Sequence, residues 1–146
     1  MKKGKVMIIG AVGSGKSTLT KKLLNDDKPA VKTQALNYAG WIIDTPGEYS
    51  ENPMYYRSLM ATSLEAKVLL VIQDATRENS IFPPNFSQGF PLKPIGVITK
   101  IDHPLANVER ARILLQQSIP NAPVILTSSV TSDGIKDLIK NIQKHL

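Results

Sequence analysis

Eight consecutive residues near the start of the chain have the types and spacing of a phosphate-binding loop. Residues 10–17 are Gly-Ala-Val-Gly-Ser-Gly-Lys-Ser, a full match to the Walker A pattern G-x-x-x-x-G-K-[ST]. Glycines let backbone N–H groups approach phosphate oxygens, Lys16 would reach the β- and γ-phosphates, and the Ser17 hydroxyl would bind Mg²⁺. The pattern predicts that a nucleoside triphosphate contacts Gly10, Ala11, Val12, Gly13, Ser14, Gly15, Lys16, Ser17 and Thr18.

A second group that could take part in binding or catalysis is Asp-Thr-Pro-Gly at residues 44–47, directly after an apolar stretch. Ligands of an open α/β sheet gather at the carboxyl ends of its strands, so Asp44 would face the same crevice as the phosphate-binding loop. There Asp44 would hold Mg²⁺ through water, and the N–H of Gly47 would contact a γ-phosphate. Such a short turn is weak evidence alone and gains its weight from residues 10–17.

A third group, Thr99-Lys100-Ile101-Asp102, again follows an apolar stretch. A fixed carboxylate at Asp102 can accept hydrogen bonds from N1–H and the N2 amino group of guanine, a pair of donors that adenine lacks. The stem of Lys100 would cover the base. The alternative is that Asp102 only turns the chain before Pro104. Ser128 and Ser129 directly follow the last apolar stretch. We predict that their backbone N–H groups donate hydrogen bonds to the base carbonyl.

Apolar stretches and helical patterns alternate along the chain and would position these groups. Five apolar stretches are present, and four of them are mostly unbroken. Unbroken apolar stretches indicate strands buried on both faces of a parallel sheet. The predicted strands are 5–9, 41–44, 67–73, 94–99 and 123–127, and the predicted helices are 16–24, 55–64, 107–118 and one through 135–142. This order predicts an α/β, three-layer P-loop NTPase fold, with a mostly parallel sheet of about five strands flanked by helices, in one domain over residues 1–146.

The composition limits the classes of protein to which the chain can belong. A chain of 146 residues without cysteine suits a single domain and excludes disulfides and thiolate metal sites. The net charge of +6 would suit a nucleic-acid binder, but no aromatic interleaving or known reader motif accompanies it, so we do not expect that activity. No apolar run approaches the roughly 20 residues that cross a bilayer, so we expect no membrane span and a cytoplasmic protein.

The three motifs, together with Lys-Thr-Gln-Ala-Leu at residues 32–36 and Phe-Pro-Pro-Asn-Phe at residues 82–86, resemble those of a known family. The chain resembles a small P-loop GTPase, and most closely the EutP/PduV family of ethanolamine and propanediol utilisation, over essentially its whole length. The resemblance implies Mg²⁺ with GTP or GDP as the ligand, and a role in degrading small amines or diols; association with a bacterial microcompartment stays open. It also implies that Thr33 contacts Mg²⁺ and the γ-phosphate.

Three departures from typical small GTPases bear on the expected mechanism. Only ten residues, 34–43, separate Thr33 from Asp44, which leaves little room for an extra antiparallel strand. Glu48 stands where signalling GTPases place a glutamine that orients water, and no arginine lies in the presumed first switch loop. Hydrolysis without these groups is expected to be slow, on the order of 10⁻⁴ to 10⁻² s⁻¹.

Two functions of different classes therefore stay open. The leading hypothesis is a slow GTPase or guanine-nucleotide switch, in which Lys16, Thr33 and Gly47 serve catalysis and a partner protein binds the switch loops or segment 82–90. The alternative is an ATP-dependent phosphotransferase that acts on a small carboxylate with the same loop and Mg²⁺. A third possibility is an adaptor that binds nucleotide without turnover. Segment 82–90 contains Phe82, Phe86 and Phe90, which could instead pack onto the sheet.

Overall fold

The computed structural model describes residues 6–24 and 37–146, and only the backbone of residues 37–39. The strands within this part of the chain are β1 Val6–Ile9, β2 Asn37–Ala39, β3 Ile42–Asp44, β4 Val68–Asp74, β5 Lys93–Thr99 and β6 Val124–Leu126. They form one sheet in the order β2-β3-β1-β4-β5-β6. Five of these strands, β3, β1, β4, β5 and β6, pair in parallel, which confirms the predicted parallel sheet.

α-Helices connect the parallel strands, as the alternating pattern predicts, except between β4 and β5, where the connection contains only a 3₁₀ turn. They are α1 Lys16–Leu24, α2 Gly47–Glu51, α3 Tyr56–Ser63, α4 Val108–Ser118 and α5 Ile135–Gln143, and two 3₁₀ turns occupy Pro53–Tyr55 and Phe86–Gly89. The predicted helix 55–64 is thus preceded by a 3₁₀ turn, and the short α2 was not predicted. Within the described ranges, no helix has the length and apolar character needed to cross a membrane.

The core lies on both faces of the sheet, and β1 shows how the sequence divides between them. Val6 and Ile8 pack in a cluster that includes residues of α1 and α5, whereas Met7 and Ile9 pack in a second cluster with residues of α3 and α4. All four side chains are fully buried, and each such burial stabilises the fold by about 1.5 to 3 kcal/mol. Helices therefore cover both faces, which confirms the three-layer arrangement.

The expectation that the chain lacks room for an extra antiparallel strand before β3 is wrong. β2 pairs antiparallel with β3, with Ala39 opposite Ile42, so the turn between the two strands contains only Gly40 and Trp41. Gly40 has φ 58°, the positive value that two-residue hairpin turns require and that glycine adopts without strain. The ten residues between Thr33 and Asp44 are therefore enough for a strand of three residues and a turn of two, although not for a longer hairpin.

The phenylalanine segment 82–90 packs onto the sheet instead of presenting a row of exposed rings. Phe82 and Phe86 are buried, and their ring centroids lie 4.8 Å apart. The ring centroid of Phe86 also lies 5.1 Å from that of Phe90 and 5.7 Å from that of Tyr56, the latter pair being T-shaped. The two buried rings support the packing interpretation of this segment and remove most of the apolar surface that a docking patch would need.

Candidate functional site

The phosphate-binding loop lies between β1 and α1, where its glycines meet special backbone requirements. Gly13 and Gly15 have φ values of 77° and 96°, which residues with a side chain rarely adopt. A Cβ atom at Gly10 would lie 2.9 Å from Ser14 Oγ, so that position has no room for a side chain. The loop can therefore direct its N–H groups inward, in front of the positive end of α1, as phosphate binding requires.

Lys16, the first residue of α1, brings a cation into this enclosed region. Its residue surface is only 6% exposed. Burial lowers the pKa of the Lys16 ammonium below its ordinary value, and the negative charges of Asp44 and Glu51 oppose that shift. A buried cation near a loop of N–H donors gives the site the electrostatic character that a polyphosphate needs.

Two oxygen-bearing side chains meet beside Lys16. Ser17 Oγ donates a hydrogen bond of 3.4 Å to Asp44 Oδ2, which joins the first turn of α1 to the end of β3. The turn after Asp44 is held by the Thr45 hydroxyl, which donates to the carbonyl oxygen of Ile8 at 2.6 Å. A hydroxyl and a carboxylate are hard oxygen donors of the kind that hold Mg²⁺ together with water and nucleotide phosphates, so these residues fit the ion. Thr33, the third predicted ligand, lies outside the described residues.

Helix α2 contacts the phosphate-binding loop directly. A Cβ atom at Gly47 would lie 2.5 Å from the backbone nitrogen of Val12, so glycine is required for this approach. One turn later, the buried Ser50 hydroxyl accepts a hydrogen bond of 3.2 Å from the backbone N–H of Gly10. The start of α2 and the phosphate-binding loop therefore form one packed unit.

A cleft opens on the other side of the loop, at the carboxyl ends of β5 and β6. Its volume is about 280 Å³, and it is lined by Gly15, Thr18, Thr99, Lys100, Asp102, His103, Ser129 and Val130. Thr99 fixes this side of the loop, because its hydroxyl donates to the carbonyl oxygen of Ser14 at 2.7 Å. The cleft has the size of a small-ligand site, and it borders the phosphate-binding loop where a nucleobase would lie.

The carboxylate of Asp102 is oriented by Ser128. Ser128 Oγ donates to Asp102 Oδ1 at 2.7 Å, and the same hydroxyl accepts hydrogen bonds from the N–H groups of Val130 and Thr131 at 3.2 and 3.0 Å. The backbone N–H of Ser128 donates to the carbonyl oxygen of Asp133 at 3.0 Å. The expectation that this N–H faces the base is therefore wrong, because it is already bonded; Ser128 belongs to the site through its side chain.

Lys100 joins three parts of the site. Its Nζ donates to the carbonyl oxygen of Gly13 at 2.8 Å and forms an ion pair with Asp74 Oδ2, also at 2.8 Å. Lys100 has φ 62°, a left-handed backbone conformation that is uncommon outside glycine and that often marks functional positions. Asp74 ends β4 at the same edge of the sheet. Sequence reasoning missed this residue, although its place at the end of an apolar strand matches that of Asp44.

With the geometry established, comparison with known proteins identifies the family. A family model described as "Ethanolamine utilisation - propanediol utilisation" matches residues 2–144. The chain belongs to this family. It is 31% identical over 136 residues to the propanediol utilization protein PduV of Citrobacter freundii, covering 92% of this chain and 89% of PduV. It is also 31% identical over 137 residues to a protein named probable acetate kinase EutP from Escherichia coli K12, covering 92% and 86% of the two chains.

A solved structure supports the fold of this PduV/EutP family member. The crystal structure of a single-site variant of Aquifex aeolicus Era bound to GDP.AlF4⁻ matches with a TM-score of 0.68 and 24% sequence identity. The match covers 100% of this chain and 57% of the Era chain. The three-layer α/β P-loop fold is thereby confirmed. Family, fold and the complete Walker A sequence together support the class of nucleotide-binding P-loop proteins.

In this family member, the fold brings most of the predicted site residues together. The loop Gly10 to Lys16, Ser17 and Asp44 meet at the ends of β1 and β3, and Gly47 touches the loop from α2. The predicted base-binding residues line the neighbouring cleft or, in the case of Ser128, support it. Ser50 and Asp74 also contribute although the motifs did not reveal them, since each acts on a motif that lies distant in sequence. His103 and Val130 line the cleft as well and were not predicted.

Proposed function

We propose that this chain binds a guanine nucleotide with Mg²⁺ and acts as a slow GTPase or nucleotide-dependent switch. The observation that carries the proposal is the Asp102 carboxylate, held at 2.7 Å by Ser128 in a cleft beside the phosphate-binding loop. Two carboxylate oxygens can accept both the N1–H and the N2 amino hydrogens of guanine. Adenine offers no such pair of donors, so binding it would leave the carboxylate unsatisfied.

Each remaining residue takes a role that follows from its position. The N–H groups of the loop surround the phosphates, except those of Gly10 and Ser14, which donate to Ser50 Oγ and to the carbonyl oxygen of Ala11. Lys16 compensates the charge of the β- and γ-phosphates. Ser17 and Asp44 hold Mg²⁺, the latter through water, and Thr33 is the proposed third contact. Bound Mg²⁺ neutralises negative charge on the phosphate oxygens.

Helix α2 would form a second switch that responds to the γ-phosphate through Gly47. This residue already lies against Val12 of the loop that would hold the γ-phosphate, and its N–H would contact that phosphate when a triphosphate is bound. Glu48 follows on α2 and is exposed. A carboxylate there repels the γ-phosphate and cannot donate a hydrogen bond to its oxygens, which supports slow turnover without a partner protein.

Calorimetry in the presence of Mg²⁺ tests the proposal. GDP, GTP and ATP are compared on the native chain and on the Asp102→Ala variant. We expect guanine nucleotides to bind the native chain at least about tenfold more tightly than ATP, a difference of about 1.4 kcal/mol, and the variant to lose that preference. Equal or tighter binding of ATP by the native chain would contradict guanine recognition.

The names of the EutP relatives favour a second candidate, a phosphotransferase. A protein 31% identical to this chain is named a probable acetate kinase. In such an activity the γ-phosphoryl group of ATP passes to a carboxylate oxygen, the bond from the β,γ-bridging oxygen to phosphorus breaks, and ADP leaves. The phosphate-binding loop, Lys16 and the Mg²⁺ ligands would serve this transfer as well as hydrolysis.

Dependence on the acceptor separates the two candidates. Triphosphate consumption is measured with and without acetate or propionate, and acyl phosphate is trapped with hydroxylamine. Acyl hydroxamate that forms only with acceptor and triphosphate would favour the phosphotransferase, whereas slow phosphate release that acetate leaves unchanged would favour the GTPase. Tight binding without either product would favour a nucleotide-dependent adaptor.

The family description also supports a metabolic context. We propose that the chain works alongside enzymes that degrade ethanolamine or propanediol, in the cytoplasm or at a microcompartment surface. A partner protein would contact the switch region around α2 and α3. Fractionation of cells grown on either compound, followed by detection of the chain in the microcompartment fraction, tests that placement.

A further inference from the structure

We propose that Asp74 is a positioning residue of the nucleobase site: it holds Lys100 extended along one wall of the cleft, where the lysine stem covers the base. The inference rests on the proposed nucleotide binding and goes beyond it, because Asp74 lies outside all three sequence motifs. Asp74 would not touch the nucleotide itself. It would act only through Lys100.

The carboxylate of Asp74 is fixed before it meets the lysine. The residue is only 4% exposed. Its Oδ1 atom accepts two hydrogen bonds from Thr76, one from the backbone N–H at 2.8 Å and one from the hydroxyl at 2.7 Å. These bonds leave Oδ2 to face Lys100 Nζ at 2.8 Å. A carboxylate that is held by two donors offers the lysine one defined direction of approach.

Lys100 would be poorly defined without this anchor. Its side chain is 40% exposed, and a half-exposed lysine normally samples many rotamers. Here the ammonium lies between Asp74 and the carbonyl oxygen of Gly13, 2.8 Å from each. Both ends of the stem are therefore fixed, the backbone by its left-handed conformation and the ammonium by its two acceptors. The methylene groups between them line the cleft before any ligand arrives.

Because Lys100 is ordered before the nucleotide arrives, the nucleotide should bind more tightly than it would to a mobile side chain. A base that enters the cleft meets a wall already in place, so binding does not have to order the side chain. The same ion pair links the ends of β4 and β5 to the phosphate-binding loop through Gly13. Loss of Asp74 should therefore weaken binding of every purine nucleotide alike, whereas loss of Asp102 should change the ratio of guanine to adenine affinity.

A double-mutant cycle on the full chain tests the proposal. The dissociation constants of GDP and ATP are measured with Mg²⁺ for the native chain, Asp74→Asn, Lys100→Met and the double variant. We expect Asp74→Asn to weaken GDP binding about five- to tenfold and to leave the ratio of GDP to ATP affinity unchanged. In the Lys100→Met background the same substitution should have no further effect. Asp137→Asn, at an exposed position of α5, is the matched control and should bind as the native chain does.

A second measurement examines Lys100 without nucleotide. Acylation of lysine amines is followed by mass spectrometry, and Lys100 should react several-fold faster in Asp74→Asn than in the native chain because its ammonium is released from the ion pair. Thermal melting of each variant confirms that the chains compared are folded.

The outcomes separate this inference from the proposed function. Native binding by Asp74→Asn, or losses that simply add in the double variant, would show that Asp74 only stabilises its turn and would overturn the inference while guanine binding stands. If the native chain prefers ATP, guanine recognition fails, yet the cycle run with ATP still decides the role of Asp74. If the native chain binds no nucleotide, both proposals fall.

Discussion

Ser128 donates a hydrogen bond to Asp102 across the carboxyl ends of β6 and β5, with 2.7 Å between Ser128 Oγ and Asp102 Oδ1. The two residues are 26 positions apart in sequence, and the parallel pairing of their strands brings them together. The hydroxyl fixes the direction of the carboxylate and is itself fixed by two backbone N–H groups. Recognition of guanine would thus depend on a residue that need not contact the base.

The first prediction concerns this support. Ser128→Ala removes the donor to Asp102, so the carboxylate gains rotational freedom that binding must then restrict. We expect GTP affinity to fall about fivefold, equivalent to roughly 1 kcal/mol, while ATP affinity changes little. Calorimetry with both nucleotides measures the effect. Ser129→Ala is the matched control, because only the backbone of that neighbour is proposed to contact the base; an equal loss in both variants would contradict a specific role for the Ser128 hydroxyl.

The second prediction concerns stability in acid. Burial alone would raise the pKa of the Asp74 carboxyl, but hydrogen bonds from Thr76 and Lys100, and the charge of Lys100, lower the pKa below the ordinary value of 3.8. A carboxyl with a lowered folded-state pKa stabilises the fold above its unfolded pKa, and this contribution is lost as the pH falls through the folded value. Asp74 Oδ2 forms its ion pair with Lys100 Nζ at 2.8 Å.

Urea unfolding of the native chain and of Asp74→Asn checks this prediction. The free energy of unfolding should be lower in the variant at about pH 7, and the difference should shrink as the pH falls below about 4. Asp137→Asn serves as the exposed control and should follow the native curve. A difference that stays constant down to about pH 2 would show that the effect of Asp74 comes from packing and not from its charge.

The third prediction concerns the turn that leads from β6 into α5. Gly134 has φ 75°, and a Cβ atom there would lie 1.8 Å from the carbonyl oxygen of Leu126. Gly134→Ala must therefore displace backbone as well as adopt a strained conformation, and we expect it to reduce the free energy of unfolding by at least about 3 kcal/mol. Denaturant unfolding measures the loss.

Gly89→Ala is the matched control for this substitution. Gly89 does not have a positive φ, and a Cβ atom there would have no neighbour within 4 Å. Its free energy of unfolding should stay within about 0.5 kcal/mol of the native value. Similar losses in both variants would mean that the contact between Gly134 and Leu126 does not govern stability at this turn.

Much of the fold could be predicted from sequence, because its signals are local. Unbroken apolar stretches indicated the five parallel strands, and α1, α4 and α5 follow helical spacing within single segments. β2 was missed because three residues are too few to show a period, and its pairing with β3 depends on the turn at Gly40. α2 was missed for a similar reason, since five residues show little more than one helical turn.

The candidate site divides in the same way. Sequence motifs predicted the loop Gly10 to Ser17, Asp44 and Asp102. Each of them lies in a short motif whose residue types alone indicate its chemistry. Ser50 and Asp74 were missed because neither lies in a motif and each acts on a partner 40 or 26 residues away; the position of Asp74 after an apolar strand was the one signal that pointed to it. Ser128 was placed in the site by sequence but with the wrong group, since only the folded turn shows that Asp133 accepts its N–H hydrogen bond.

The last prediction concerns Ser50, which joins α2 to the phosphate-binding loop. Its buried hydroxyl accepts the hydrogen bond of the Gly10 N–H, so Ser50→Ala leaves a buried backbone donor without a partner. We expect a loss of about 1 to 3 kcal/mol in the free energy of unfolding, together with faster hydrogen exchange of the Gly10 amide.

A matched control for Ser50 is Ser63→Ala on α3. Ser63 is equally buried, but its hydroxyl donates only to the carbonyl oxygen of Met60, at 2.6 Å in its own helix. The Ser63 variant loses this one bond and leaves no backbone N–H donor without a partner, so the control should cost less, about 1 kcal/mol or below. A larger loss in Ser63→Ala, or unchanged exchange at Gly10 in Ser50→Ala, would mean that α2 contacts the loop through Gly47 and Val12 without needing the serine. Faster exchange confined to the Gly10 amide in Ser50→Ala would instead make Ser50 the contact that couples α2 to the phosphate-binding loop.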